Sequence, residues 1–229
     1  MHTRRFADRR EAGRLLGRAL IQYARGPDLL VLALPRGGVP VAYEVARALD
    51  APLDVLVVRK LGVPGHEEIA MGAIASGGGR VLNRDTIEQL GIPMALVDQA
   101  TAFERRELER RERAYRGAQP APEVRGRTVI VVDDGLATGA TMLAAVGALR
   151  DEGPASIIVA APVGSVEACD VVLRAADACV CVVTSDLLGA VGRWYVDFTQ
   201  TTDEEVRTLL ADAASGTREA RAPLEALPR

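Results

Sequence analysis

Aromatic side chains are scarce in this chain: three Phe, four Tyr and one Trp, 3% of 229 residues. With 48% of the residues hydrophobic, the interior must be aliphatic, built from Val, Leu, Ile and Ala. Cysteine is rarer still, and three residues do not make a disulfide framework. Cys179 and Cys181 alternate on the apolar stretch 178–183 and so share one face of an expected strand, but no His or further Cys adjoins them. That pair reads as small buried hydrophobes rather than as a metal or redox site. The two histidines are His2 and His66, and His66-Glu67-Glu68 has no second imidazole with which to build a protein-bound zinc site.

A surplus of positive charge is also missing. Lys and Arg number 28 against 31 Asp and Glu, a formal net charge of −3, which argues against a nucleic-acid binder held by bulk electrostatics. No apolar run approaches the roughly 18 residues of a membrane span. The charged start, 1–14, lacks a signal-peptide pattern. A cytoplasmic chain with neither a membrane nor a nucleic-acid partner is expected, long enough to bury a substantial core.

What is present is an alternation of short apolar runs and amphipathic stretches. Asp8-Arg9-Arg10-Glu11 has the spacing of a capping box, and Ala12, Leu15, Leu16, Ala19 and Tyr23 follow at helical spacing. A strand at 29–34, a turn at Pro35-Arg36-Gly37-Gly38, a helix at 39–49 and a strand at 53–58 make a βαβ unit. Segments 70–75 and 79–82 read as an antiparallel hairpin. A helical stretch then covers 85–116, interrupted at Gly91-Ile92-Pro93. Its charged second half pairs Glu107 with Arg111, Glu109 with Arg113 and Glu112 with Arg116 at i,i+4. Thr101, Leu108 and Tyr115 mark its one packed stripe.

Beyond this, strands at 128–132, 156–161 and 178–183 alternate with helices at 141–150 and 166–176. A last helix opens at Thr202-Asp203-Glu204-Glu205 with Val206, Leu209 and Leu210 facing inward. Such alternation predicts an α/β fold, a parallel sheet with helices on both faces. The chain reads as one domain over 1–214, with an insert at about 85–117 and a tail at 215–229 that has little to bury and is expected to be disordered.

The chemistry concentrates in Val129-Ile130-Val131-Val132-Asp133-Asp134-Gly135-Leu136-Ala137-Thr138-Gly139-Ala140-Thr141-Met142. An apolar β-branched run suits a strand buried on both faces. Asp133 and Asp134 at its carboxyl end can accept hydrogen bonds from sugar hydroxyls. Residues 137–141 bring amides and two hydroxyls to a helix N-terminus, a cradle for a phosphate dianion. Acids for a sugar beside a nest for its phosphate point to a ribose-5-phosphate ligand. An ordinary capped turn would need only one Asp, and would not call for Thr-Gly-Ala-Thr after it.

This run resembles the motif of type I phosphoribosyltransferases that binds 5-phosphoribosyl 1-pyrophosphate (PRPP), in which two acidic residues precede a Thr-Gly-x-Thr/Ser loop. The order of elements over 6–210 is similar as well. The resemblance implies a Rossmann-like sheet with a hairpin and helical insert and a C-terminal hood at about 185–200. It implies that the catalytic acids Asp133 and Asp134 hold the ribose, and that Ala137, Thr138, Gly139, Ala140 and Thr141 hold the 5-phosphate. Pyrophosphate falls to Arg36, Gly37, Gly38 and Lys60, with Arg59 in reserve. Mg2+ arrives on PRPP and meets Asp133 and Asp134 only through PRPP or water. In the hood, Trp194, Tyr195 and Asp197 are the base-binding candidates; as an extended segment, Trp194, Val196 and Phe198 would share one face and Tyr195 and Asp197 the other.

The implied activity is transfer of the 5-phosphoribosyl group of PRPP to a nucleobase or related nitrogen heterocycle, with release of pyrophosphate. Because family members are often dimers, a homodimer is part of that expectation. The alternative is a non-catalytic PRPP or nucleotide sensor on the same fold. Ala137 stands where hypoxanthine/guanine enzymes carry an Asp that handles a purine proton. Ala137-Thr138-Gly139 matches adenine and uracil enzymes instead. Yet the adenine enzymes' Ala-Arg-Gly-Phe is replaced here by Leu34-Pro35-Arg36-Gly37-Gly38. The acceptor and its acid or base are left open.

Overall fold

The computed structural model describes residues 5–221 except 25, 27 and 118. Five parallel strands form the central sheet: β1 (Leu29–Ala33), β2 (Leu53–Val55), β6 (Thr128–Val132), β7 (Ser156–Ser165) and β8 (Ala178–Ser185). Their order across the sheet is β2-β1-β6-β7-β8. The chain thus starts in the middle, steps outward to β2, and later returns to the other side of β1. The boundary between β1 and β6 is the topological switch point, the crevice where open α/β sheets bind ligands.

The continuous apolar runs are explained by burial on both faces. Leu29, Val31, Ala33, Ile130 and Val132 point into one core, together with α2 (Gly38–Leu49) and Val206 and Leu209 of α7 (Asp203–Arg221). Leu30, Leu32, Val129 and Val131 point into the other, against α5 (Ala140–Glu152) and α6 (Val166–Leu173). Helix α1 (Arg9–Ala19) starts at the expected cap: the Asp8 carboxylate accepts from Glu11 N at 2.7 Å. The segment expected to fray begins inside α7, which continues to Arg221; residues 222–229 lie outside those described.

The second sheet departs from expectation. It is three-stranded and antiparallel, β3 (Val58–Val63), β4 (His66–Ala75) and β5 (Arg80–Leu82), in that order. The apolar run 53–58 does not make one strand: it is split between β2 in the parallel sheet and the start of β3. Lys60 therefore sits within an antiparallel strand, paired in register with Ala73, and not on a loop after a parallel one.

Helices α3 (Arg84–Gln89) and α4 (Met94–Arg116) follow, separated around Gly91-Ile92-Pro93. All three expected i,i+4 ion pairs of α4 form, and Glu107 also takes Arg110, so its carboxyl is held down at about 2 by the hydrogen bonds from Arg110 and Arg111. The stripe Val97, Thr101, Leu108 and Tyr115 is buried. Among the described residues no helix is long and apolar enough to cross a membrane.

The stripe yields a paired test. Leu108 is 4% exposed within the first core, whereas Phe103 on the same helix is 69% exposed. Leu108→Ala should lower unfolding free energy by about 2–5 kcal/mol through lost contact and a residual cavity. Phe103→Ala should stay within about 0.5 kcal/mol of the parent. Urea titration of both variants checks the packing of α4.

Candidate functional site

The switch point brings together two loops about 100 residues apart in sequence. After β1 the chain turns through Pro35-Arg36-Gly37-Gly38, with a cis peptide between Pro35 and Arg36, and enters α2. After β6 it turns through Asp133-Asp134. The two touch: a Cβ on Gly37 would run into the Asp134 carboxylate, and one on Gly38 would lie 2.7 Å from Val132 O and 3.0 Å from Asp133 Cα. Only glycine permits this approach. The first loop therefore lies directly beside the two acids, as the sequence motif led us to expect.

The acids sit in an enclosed, like-charged position. Burial pushes the Asp133 carboxyl well above the usual range, and the neighbouring Asp134 charge adds to it; an accepted hydrogen bond from Asp134 N, at 2.8 Å, works the other way. Asp134 is also raised by burial, and Arg9 pulls it back. Arg9 Nε donates to Asp134 Oδ2 at 2.9 Å, with the two side chains 11% and 15% exposed. The guanidinium rests on the Phe198 ring, 3.9 Å from its centroid, and its Nη1 donates to Thr199 O at 2.8 Å.

Beyond the acids, the 137–141 loop is open. Gly139 takes φ +75° as N-cap of α5, a left-handed conformation that leaves the helix without a side-chain cap. The amides of the first turn are thus available to a ligand. Thr138 Oγ1 reaches only Ala140 N, at 3.4 Å. Ala137, Thr138, Ala140 and Thr141 are exposed. Ser165 braces the loop from beneath, its Oγ donating to Ala137 O at 2.8 Å.

The basic residues are distributed differently from one another. Lys60 lines a 510 Å³ cavity together with Ala140 and Thr141, so the β3 strand carries it to the 137–141 loop by an unexpected route. Arg36 lies 3.8 Å from Asp203 at the start of α7, an exposed pair, and Tyr115 OH donates to the same Asp203 Oδ1 at 3.0 Å. Arg59 is taken up by Glu104, at 2.6 Å.

The hood is not extended through its aromatic part. Residues Val191–Trp194 form a short 3-10 turn, so the expected alternation of faces fails and both Trp194 and Tyr195 are buried. Trp194 Nε1 donates to Leu188 O at 3.1 Å, and Tyr195 OH donates to Asp134 O at 2.6 Å. Asp197 is exposed, its carboxyl held low by hydrogen bonds from the Thr199 hydroxyl and amide. Phe198 is the partly open ring, 38% exposed. Arg9 and Phe198 are not among the site residues the sequence points to, and Tyr195, a base-binding candidate there, is instead bonded to the Asp134 carbonyl. Arg9 looked like part of a helix start, and its partner lies 125 residues away.

This geometry agrees with three comparisons. A family model described as "Phosphoribosyl transferase domain" matches residues 65–185, more than half of the chain, and the chain belongs to that family. Two curated proteins from strains of Mycobacterium tuberculosis, each named "Putative phosphoribosyl transferase", are 46% identical over 208 residues, or 90% of this chain. The chain spans 46% of the length of those relatives. The crystal structure of TT1426 from Thermus thermophilus superposes with a TM-score of 0.82 at 42% identity, covering 91% of this chain and 98% of that one.

The raised carboxyls fix a sign for pH dependence. In the ligand-free fold Asp133 keeps its proton to higher pH than in the unfolded chain. Its charged form is thus a destabilising term, absent below the usual carboxylate range and growing as pH rises through the raised value. Asp133→Asn should therefore melt higher than the parent at pH 7, by about 2–4 °C for each kcal/mol relieved, with the gap closing towards pH 4. Calorimetry of both proteins across that range is the check.

Proposed function

We propose that this chain transfers the 5-phosphoribosyl group of PRPP to a nucleobase or related nitrogen heterocycle, releasing pyrophosphate. The observation that carries the reading is the contact at the switch point: Gly37-Gly38 lies against Asp133-Asp134, beside the uncapped N-terminus of α5. A ligand with a sugar between two phosphate groups suits an acid pair flanked by two anion-binding loops.

In this reading Asp133 and Asp134 accept hydrogen bonds from the ribose hydroxyls, and Arg9 holds Asp134 in place and favours its charged form against the effect of burial. The 137–141 loop takes the 5-phosphate on its amides and on Thr138 and Thr141, so that remote binding energy positions C1. Arg36, the amide of Gly37, and Lys60 face the pyrophosphate as negative charge builds on it; the Gly38 amide is held by Leu34 O at 3.1 Å. The acids offer hard oxygen donors, yet each already shares an oxygen, with Arg9 or with an amide. Among the described residues no third His, Cys or carboxylate joins them. That donor set fits magnesium carried on the diphosphate with its waters, not a protein-built cage. Bound so, the ion would neutralise charge on the leaving group.

The base-binding role moves within the hood. Trp194 and Tyr195 act as packing and as a tether for the Asp134 carbonyl, and Phe198 offers the partly open ring beside Arg9. Asp197, exposed at the same rim, is kept as the polar candidate for the acceptor. The non-catalytic alternative would bind PRPP and release nothing.

The deciding assay is pyrophosphate release from PRPP with magnesium across purines, pyrimidines and simple analogues, alongside calorimetric PRPP binding. Release that depends on one base, with its nucleotide formed, is the expected result; tight binding without release across the panel would favour the sensor. The folded Asp133→Asn, Asp134→Asn double variant should lose turnover by at least about 100-fold, and near-normal turnover would reject the site. Thr138→Val should weaken ribose 5-phosphate binding by about 10- to 100-fold, one hydrogen bond to an anion, as read by calorimetry.

A further inference from the structure

The cysteine pair singled out in the sequence acquires a third member in the fold. Cys179 and Cys181 project from the same face of β8, the edge strand of the parallel sheet. Cys169 comes from α6, which packs against that face. The three Sγ atoms all lie within 4.8 Å of one another, with Cys169 and Cys181 at 3.2 Å. All three thiols are free, and none is fully enclosed. Among the described residues this is the one group of three metal-capable side chains.

We propose that Cys169, Cys179 and Cys181 form a binding site for a thiophilic d10 cation, Zn2+, that braces the phosphate loop from behind. The sulfurs suit the ion on geometry. Zn–S bonds of about 2.3 Å in a tetrahedron separate sulfurs by roughly 3.8 Å, which falls between the 3.2 Å of Cys169 and Cys181 and the 4.8 Å that bounds all three. Softness selects in the same direction, since three thiolates favour Zn2+ over the magnesium expected at the carboxylate site. Among the described residues no fourth His, Cys or carboxylate joins the three, so the fourth position would fall to water or a small ligand.

The cluster is wired to the loop by backbone. Gly164, at the end of β7, has no room for a Cβ: one would lie 2.6 Å from Cys169 Sγ and 3.0 Å from Cys181 Sγ. Gly164 bridges to Leu136, and Leu136 N donates to Val163 O at 2.9 Å. Ser165 then caps α6 through Ala168 N at 3.0 Å while its hydroxyl holds Ala137 O. An ion joining α6 to β8 would fix the corner on which Leu136 and Ala137 rest. The metal site stands on its own geometry; the effect on phosphate binding rests on the function proposed above.

The test uses the untagged full chain, reduced and stripped with a chelator. Zn2+ is titrated against a competing chromophoric chelator, and Co2+ serves as reporter through its thiolate charge-transfer absorption. One ion per chain, with proton release and a thiolate–cobalt band, is the expected result. Cys169→Ser and Cys179→Ser should each weaken Zn2+ by about 100-fold or more, beyond the loss typical of outer-shell partners. Absence of a stoichiometric ion, or of the cobalt band, in the reduced parent protein would overturn the site whether or not any variant folds. So would binding unchanged in folded variants. Ribose 5-phosphate titrations with and without Zn2+ then test the brace separately. Tighter phosphate binding when loaded is expected, and equal affinity with Zn2+ demonstrably bound would overturn the brace alone. If the apo and loaded proteins both fail to bind the sugar phosphate, the proposed function fails while the metal site remains.

Discussion

The site depends on one close approach: the backbone of Gly37-Gly38 lies so near the end of β6 that no side chain fits between them. That approach is possible because β1 and β6 are adjacent parallel strands in register from Leu29 with Thr128 to Ala33 with Val132. Their turns leave the sheet at the same height. A strand pair buried on both faces resists sliding, since a one-residue slip would exchange its two apolar faces and carry both turns with it. The position of the acids is thus set by the aliphatic core beneath them.

Placing two carboxylates there has an electrostatic consequence. Burial favours protons on both, the Asp134 charge adds to it at Asp133, and Arg9 is the cation set against them. Arg9 belongs to α1, whose start is fixed by Asp8 and whose flank pairs with the hood: Phe6 N donates to Trp194 O and Val196 N to Phe6 O, both at 2.8 Å. The hood in turn supplies the Phe198 face under the guanidinium and the Tyr195 hydroxyl on the Asp134 carbonyl. Helix α1 and the hood therefore converge on one residue, Asp134. The scarce aromatics are spent here: Phe6, Trp194 and Tyr195 form a third small core beside the site, with Phe198 against Tyr195.

This arrangement explains what was legible in the sequence. The strand Thr128–Val132, the loop after it and the ion pairs of α4 are written in consecutive residues or in i,i+4 spacing, which local physics reads directly. What escaped depends on partners far apart. The β3 strand carries Arg59 and Lys60 in an otherwise apolar run and is defined by its pairing with β4, including two register shifts. Neither periodicity nor composition contains that pairing. Arg9 looked like an ordinary first-turn residue because its partner is 125 positions away. Cys169 is separated from Cys179 by a helix end and a turn, so the triad exists only once α6 folds onto β8.

The cations at the site differ in how firmly they are held, and the difference bears on the proposed function. Arg9 is enclosed, with its partner, at 11% and 15% exposure. Arg36 and Asp203 remain 37% and 54% exposed at 3.8 Å, the kind of pair that contributes little to stability. An anion arriving at Gly37-Gly38 can draw Arg36 from Asp203 at small cost, whereas separating Arg9 from Asp134 would strand a buried charge. A chain with net charge −3 can therefore take a highly anionic ligand without a basic surface. On the proposed function, attraction would rest on helix amides and one exchangeable arginine, next to a lysine on an antiparallel strand. The enclosed pair keeps the acids in place throughout.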